Sequence, residues 1–120
     1  MSSQLEAVLL VVDDESTVCR AICRILRSRF ADIQSACTPE EAVAVLDSRR
    51  VTHVLCDYRL GAGQPTGTEL VQRWRSQHPS IERAVILTGV EVTQLEAPGG
   101  VDAVVPKASD PTDLADILLG

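Results

Sequence analysis

The stretch Val8-Leu9-Leu10-Val11-Val12-Asp13-Asp14 decides the fold. A short, unbroken apolar run reads as a strand buried on both faces, the pattern of a parallel sheet covered by helices. Two acids follow it directly. Three later runs end the same way: Val54-Leu55-Cys56 before Asp57, Val85-Ile86-Leu87 before Thr88, and Val104-Val105-Pro106 before Lys107. In an open parallel α/β sheet, ligands bind outside the carboxyl ends of the strands. Three carboxylates, a hydroxyl and an ammonium are therefore expected in one crevice.

Outward from these runs, the chain alternates strand and helix. Strands are expected over about 8–12, 33–36, 53–56, 84–87 and 103–105. The first helix should cover about 16–29, with Val18, Ile22, Ile25 and Leu26 at helical spacing on its inner face. Arg20, Arg24 and Arg27 form a basic stripe elsewhere on it, read as a solvated face with partner docking as the alternative. Thr38-Pro39-Glu40-Glu41 starts a second helix: Thr38 can cap, proline suits the first helical position, and the acids favour the positive end of the dipole. That helix buries Ala42, Val45 and Leu46. Residues 58–65, with Gly61 and Gly63, are expected as a loop. A third helix starts near Thr66-Gly67 and buries Leu70, Val71 and Trp74. A short one is expected over 92–97, ended by Pro98-Gly99-Gly100. A last helix is capped by Asp110 ahead of Pro111, with Leu114, Ile117 and Leu118 inward.

Bulk properties fit one folded domain. The 120 residues are 45% hydrophobic, enough for a single core. The net charge of -6 argues against direct nucleic-acid contact by this domain. No apolar stretch approaches membrane length, and the start shows no signal peptide. A cytoplasmic location is the expectation. Cys19, Cys23, Cys37 and Cys56 lack CxxC spacing and read as small apolar residues, while His53 and His78 do not read as ligands.

The strand-end residues suit phosphoryl chemistry. Asp13, Asp14 and Asp57 are hard oxygen donors for Mg²⁺. Two carboxylates about 4 Å apart repel by about 4 kcal/mol at an effective dielectric near 20, a cost that a divalent cation relieves. A carboxylate can also attack phosphorus. Lys107 would neutralise developing charge, and Thr88 would hydrogen-bond a phosphoryl oxygen.

This pattern resembles the receiver domain of two-component response regulators, over nearly the whole chain. Cys56-Asp57-Tyr58-Arg59-Leu60 and Gly67-Thr68-Glu69-Leu70 add to the resemblance. It implies a flavodoxin-like (βα)5 three-layer sandwich with strand order 2-1-3-4-5. It implies Asp57 as phosphoacceptor, Thr88 as switch hydroxyl and Lys107 as phosphate-binding lysine. It further implies Mg²⁺ held directly by Asp14, Asp57 and the main-chain carbonyl of Arg59, with Asp13 acting mainly through water. The partner would be a sensor histidine kinase or a histidine phosphotransfer protein, with an output domain fused or separate. Residues 1–120 would be a single receiver domain, of a size and ending that fit a fragment of a longer protein. Its role would be signalling, with self-catalysed transfer and dephosphorylation rather than metabolic turnover.

Four features depart from the family pattern. The loop between Asp57 and Gly67 is long, as in receivers fused to hybrid histidine kinases. The segment from Thr88 to Lys107 is short. Ala108 replaces the usual proline, so the bond after Lys107 is expected trans. Val104 stands where a switch aromatic is usual. Two alternatives remain at this level: a pseudo-receiver interaction module, and a phosphatase of the haloacid dehalogenase type.

Overall fold

A computed structural model describes residues 7–89, 99–107 and 110–120. The helix expected over 92–97, and the bond from Lys107 to Ala108, lie outside the described residues.

Five strands form one parallel sheet: β1 (Val8–Val12), β2 (Asp32–Ala36), β3 (His53–Asp57), β4 (Arg83–Thr88) and β5 (Ala103–Pro106). Their order is 2-1-3-4-5, as expected. The helices among the described residues are α1 (Ser16–Leu26), α2 (Pro39–Ser48), α3 (Gly67–Gln77) and α4 (Pro111–Leu119). Residues 27–29 continue α1 as one tighter 3-10 turn, which accounts for the longer helix expected from the sequence.

Side chains alternate across the sheet and build two cores. Leu9, Val11, Leu55, Val85 and Leu87 pack with Cys19, Ile22 and Leu26 of α1 and Leu114, Ala115 and Leu118 of α4. Leu10, Val12, Val54, Cys56, Ala84 and Ile86 pack on the other face with Ala42 and Leu46 of α2 and Leu70, Val71 and Trp74 of α3. The result is three layers. Each fully buried aliphatic side chain contributes roughly 1.5–3 kcal/mol.

Four inward assignments change. Ile25 is 48% exposed, and Cys19 takes its place on the inner face of α1. Leu26 and Ile25 lie 100° apart on a helix, so with Leu26 buried, Ile25 turns out. Val18, Val45 and Ile117 are only partly buried at the edges of the two cores.

Caps fix where the helices begin. Thr38 Oγ1 accepts from Glu41 N at 3.1 Å. Thr66 and Glu69 form a reciprocal capping box on α3. Asp110 Oδ1 accepts from Thr112 N at 2.8 Å.

Candidate functional site: a carboxylate and lysine cluster at the strand ends

Sheet register brings the expected residues together. Val12 pairs with Cys56, so Asp13 and Asp57 follow side by side at the ends of β1 and β3. Asp57 pairs with Leu87, and Thr88 with Pro106, which sets Thr88 and Lys107 on the same rim. Lys107 N donates to Thr88 O at 2.9 Å, and Tyr58 N to Leu87 O at 2.7 Å. A cavity of about 280 Å³ opens there, lined by Asp14, Glu15, Asp57, Tyr58, Arg59, Thr88, Gly89 and Lys107.

The ammonium of Lys107 bonds Asp57 Oδ2 at 2.9 Å and lies 3.4 Å from Asp13 Oδ2. Asp13, Asp57 and Thr88 are buried, whereas Asp14 is exposed. One oxygen from each of Asp13, Asp14 and Asp57 lies within 4.8 Å of the others. Arg59 N reaches Asp57 Oδ1 at 3.4 Å. Asp13 Oδ1 accepts from Glu15 N at 2.9 Å, which turns the chain from β1 into α1.

The electrostatics are unbalanced. Burial, and then the nearby charge of Asp57, raise the Asp13 carboxyl above its usual value, against the lowering influence of Glu15 N–H and Lys107. Burial opposes the charge of Lys107, but Asp57 and Asp13 more than offset it and hold the ammonium above its usual value. Among the described residues, Asp13 Oδ2 is the buried side-chain oxygen or nitrogen with no hydrogen bond; its contact with Lys107 is ionic only. A buried, orphaned carboxylate oxygen facing two more carboxylates is a donor set that fits a hard divalent cation.

All six residues named from the sequence, Asp13, Asp14, Asp57, Arg59, Thr88 and Lys107, are brought to this rim. Two supports carry no such signal in the sequence. Cys19 Sγ donates to Asp13 O at 3.4 Å from beneath the cluster; burial pushes this thiol up to about 12, so it stays protonated as a donor. The second is Gly67, whose amide donates to Tyr58 O at 2.8 Å. The loop between them is held at its base by an antiparallel bridge from Arg59 to Thr66 and by buried Leu60. It encloses a second cavity of about 580 Å³ that shares Asp14, Tyr58 and Arg59 with the first. The sequence signalled the loop's length but not this cavity.

Comparison with known proteins bears on the fold and the family. The chain is 36% identical over 84 residues to the hydrogenase transcriptional regulatory protein HoxA of Cupriavidus necator, covering 70% of this chain and 17% of that one. It is 30% identical over 81 residues to the acid tolerance regulatory protein ActR of Sinorhizobium medicae, covering 68% and 40%. The chain thus spans well under half of either relative. A response regulator protein from Burkholderia pseudomallei, solved with a phosphorylated aspartic acid, a calcium ion and citrate, superposes with a TM-score of 0.77. It is 21% identical, with 94% of this chain and 66% of that one covered. The family model for the response regulator receiver domain matches residues 9–119. The chain belongs to the response regulator receiver domain family.

Proposed function

We propose that this chain accepts a phosphoryl group on Asp57 from a histidine of a sensor kinase or phosphotransfer protein, and signals by the change that follows. The observation that carries this reading is Lys107 Nζ, 2.9 Å from Asp57 Oδ2 within a cluster of three carboxylates. Asp57 is the one carboxylate of the three held directly by an ammonium hydrogen bond, so its charge is tolerated and its position fixed.

In the transfer, an oxygen of Asp57 attacks phosphorus. The P–O bond forms as the P–N bond to the donor imidazole breaks, and the electron pair returns to the ring nitrogen. Lys107 stands beside the oxygens that gain charge, and Thr88 is placed to hydrogen-bond one of them. Mg²⁺ would be held directly by Asp14, Asp57 and the main-chain carbonyl of Arg59, with Asp13 acting mainly through water, and would supply neutralisation of the phosphoryl oxygens. Asp13 Oδ2 gains the partner it lacks in that arrangement.

A groove of about 310 Å³ runs from α1 to the site, lined by Thr17, Val18, Ala21, Ile22, Leu87, Lys107 and Leu114. We take this as the approach for the donor histidine. Among the described residues no helix is long and apolar enough to cross a membrane, in keeping with a cytoplasmic relay. The output domain would lie beyond this chain or on another protein, and the domain itself would run no metabolic turnover.

The test is incubation with acetyl phosphate and Mg²⁺, read by intact mass and peptide mapping. One phosphoryl group on Asp57 is expected. Label that persists in Asp57→Asn refutes the assignment.

A further inference from the structure

We infer that Gly67 is a positioning residue for Asp57: its missing side chain lets the first residue of α3 sit against the phosphoacceptor's own carbonyl. The inference rests on the reading of Asp57 as phosphoacceptor. A Cβ built on Gly67 would lie 2.2 Å from Asp57 O, 3.0 Å from Asp57 C and 3.1 Å from Cys56 Sγ. Two of those three atoms are backbone of the reacting residue. Backbone in a central strand cannot swing aside as a side chain can. Gly100 makes the contrast, since a Cβ there meets the flexible Gln72 Cγ at 3.1 Å.

Backbone conformation does not explain this glycine, since Gly67 is absent from the positive-φ residues. Helix propensity argues against it, because glycine is the poorest helix former after proline. Space remains as the reason. The contact is also locked from both sides. Gly67 N donates to Tyr58 O at 2.8 Å, and Tyr58 N donates to Leu87 O at 2.7 Å. The capping box of Thr66 and Glu69 sets the same helix end. Helix α3 and the acceptor's peptide therefore move as one body. Any larger residue at 67 must drive α3 and the end of β3 apart by most of an ångström. That displacement falls beside Arg59 N, which supports Asp57 Oδ1. A misplacement of about 1 Å can cost a reaction about 100-fold.

The experiment compares Gly67→Ala with Thr66→Ala. The second variant loosens the same helix end through its cap and leaves the carbonyl contact alone. Three quantities are read: the rate of phosphoryl transfer from acetyl phosphate, the Mg²⁺ concentration for half-maximal binding, and the ¹³C resonance of the Asp57 carboxyl in metal-free protein. For Gly67→Ala the rate should fall about 10–100-fold, the Mg²⁺ midpoint should rise, and the carboxyl resonance should move. Thr66→Ala should stay within about twofold in rate and in Mg²⁺ midpoint and leave the carboxyl resonance in place, even if it is the less stable protein. Equal losses in the two variants, or a folded Gly67→Ala with wild-type rate and resonance, overturn the inference. If Gly67→Ala does not fold, the wild-type protein decides: on titration with Mg²⁺ alone, the Gly67 amide should shift together with those of Tyr58 and Arg59, and an unmoved Gly67 overturns it. A wild-type protein that takes no phosphoryl group refutes the proposed function instead, and the carboxyl resonance, which needs no donor, still judges Gly67.

Discussion

The two ends of the sheet both bury polar side chains, and they treat them in opposite ways. At the amino ends of the strands, the buried Thr52 and His53 are closed off by the chain itself. Thr52 Oγ1 accepts from Val8 N at 2.9 Å, lies 3.2 Å from Val8 O and 2.7 Å from His53 Nδ1. The exposed Asp102, just before β5, is closed off in the same way: its Oδ2 accepts from Ala84 N at 2.8 Å and from Arg75 Nη1 at 2.8 Å. At the carboxyl ends, Asp13 Oδ2 has no hydrogen bond, and like charges stand within 4.8 Å. Closed polar groups serve the fold, because an unmet one costs about 1–3 kcal/mol. The open set, only partly balanced by Lys107, is a place that fits a hard divalent cation.

The largest expected effect breaks the open end. Asp57→Asn should lower phosphoryl incorporation at least about 100-fold, since the amide is no nucleophile. The fold should persist, because the substitution keeps the shape and removes one of the crowded charges. Intact mass and thermal unfolding measure the two effects separately. Undiminished labelling would place the acceptor elsewhere.

Next comes the closed end. Thr52→Val should cost about 1–3 kcal/mol in urea unfolding, because Val8 N–H and the His53 ring lose their partner together. It should leave phosphoryl incorporation unchanged. If incorporation falls as steeply as stability, the two ends are coupled and the contrast is false.

Why the site was legible in the sequence while its supports were not follows from the same contrast. A polar residue after an apolar run is visible in the one-dimensional pattern, and parallel strands put all such residues on one rim. Asp13, Asp57, Thr88 and Lys107 are each found that way. Asp14 follows Asp13 after the same run, and only Arg59 is named from the family resemblance. Gly67 carries no charge, and as the first residue of a helix it reads as mere punctuation. The available signal was glycine where a better helix former is favoured, directly after the Thr66 cap. Cys19 was read only as a small apolar residue, and its hydrogen bond to Asp13 O depends on the angle between α1 and β1. Ile25 was misassigned because the apolar spacing of α1 fits two overlapping stripes, and cysteine was left out of the count. Only the packing of α1 on the sheet and on α4 chooses between them.

A smaller effect sharpens the comparison at the open end. Asp13→Asn should stabilise the metal-free protein by about 1–2 kcal/mol, since the raised carboxyl pKa means that the charge is disfavoured in the fold. The same change should weaken Mg²⁺ binding about tenfold or more, through loss of a hard anionic donor. Urea unfolding without metal, and Mg²⁺ titration followed by NMR, give both numbers. Fluorescence is the poorer probe, because Trp74 is buried under α3 in the core. A loss of stability on Asp13→Asn would mean that Asp13 serves the fold, like Thr52.

The smallest effect belongs to His53, at the closed end. Its ring is buried against the edge of Phe30, with ring centroids 5.7 Å apart. Burial lowers its pKa below the usual 6.5; Glu82 acts against that shift and Arg83 with it. The folded protein therefore holds this imidazole neutral at a pH where the unfolded chain has already bound a proton. Stability from this group is complete above the unfolded value. It is lost as the pH falls from there through the lowered folded value. His53→Gln keeps a polar partner for Thr52 and does not titrate. Asp13, whose raised value gives the opposite sign, is present in both proteins and cancels in the comparison. Unfolding free energies from about pH 8 to about pH 5 should therefore fall more steeply for the wild type than for His53→Gln. Parallel curves would mean that His53 accepts its proton without penalty, and that the amino end of the sheet is not as closed as its hydrogen bonds indicate.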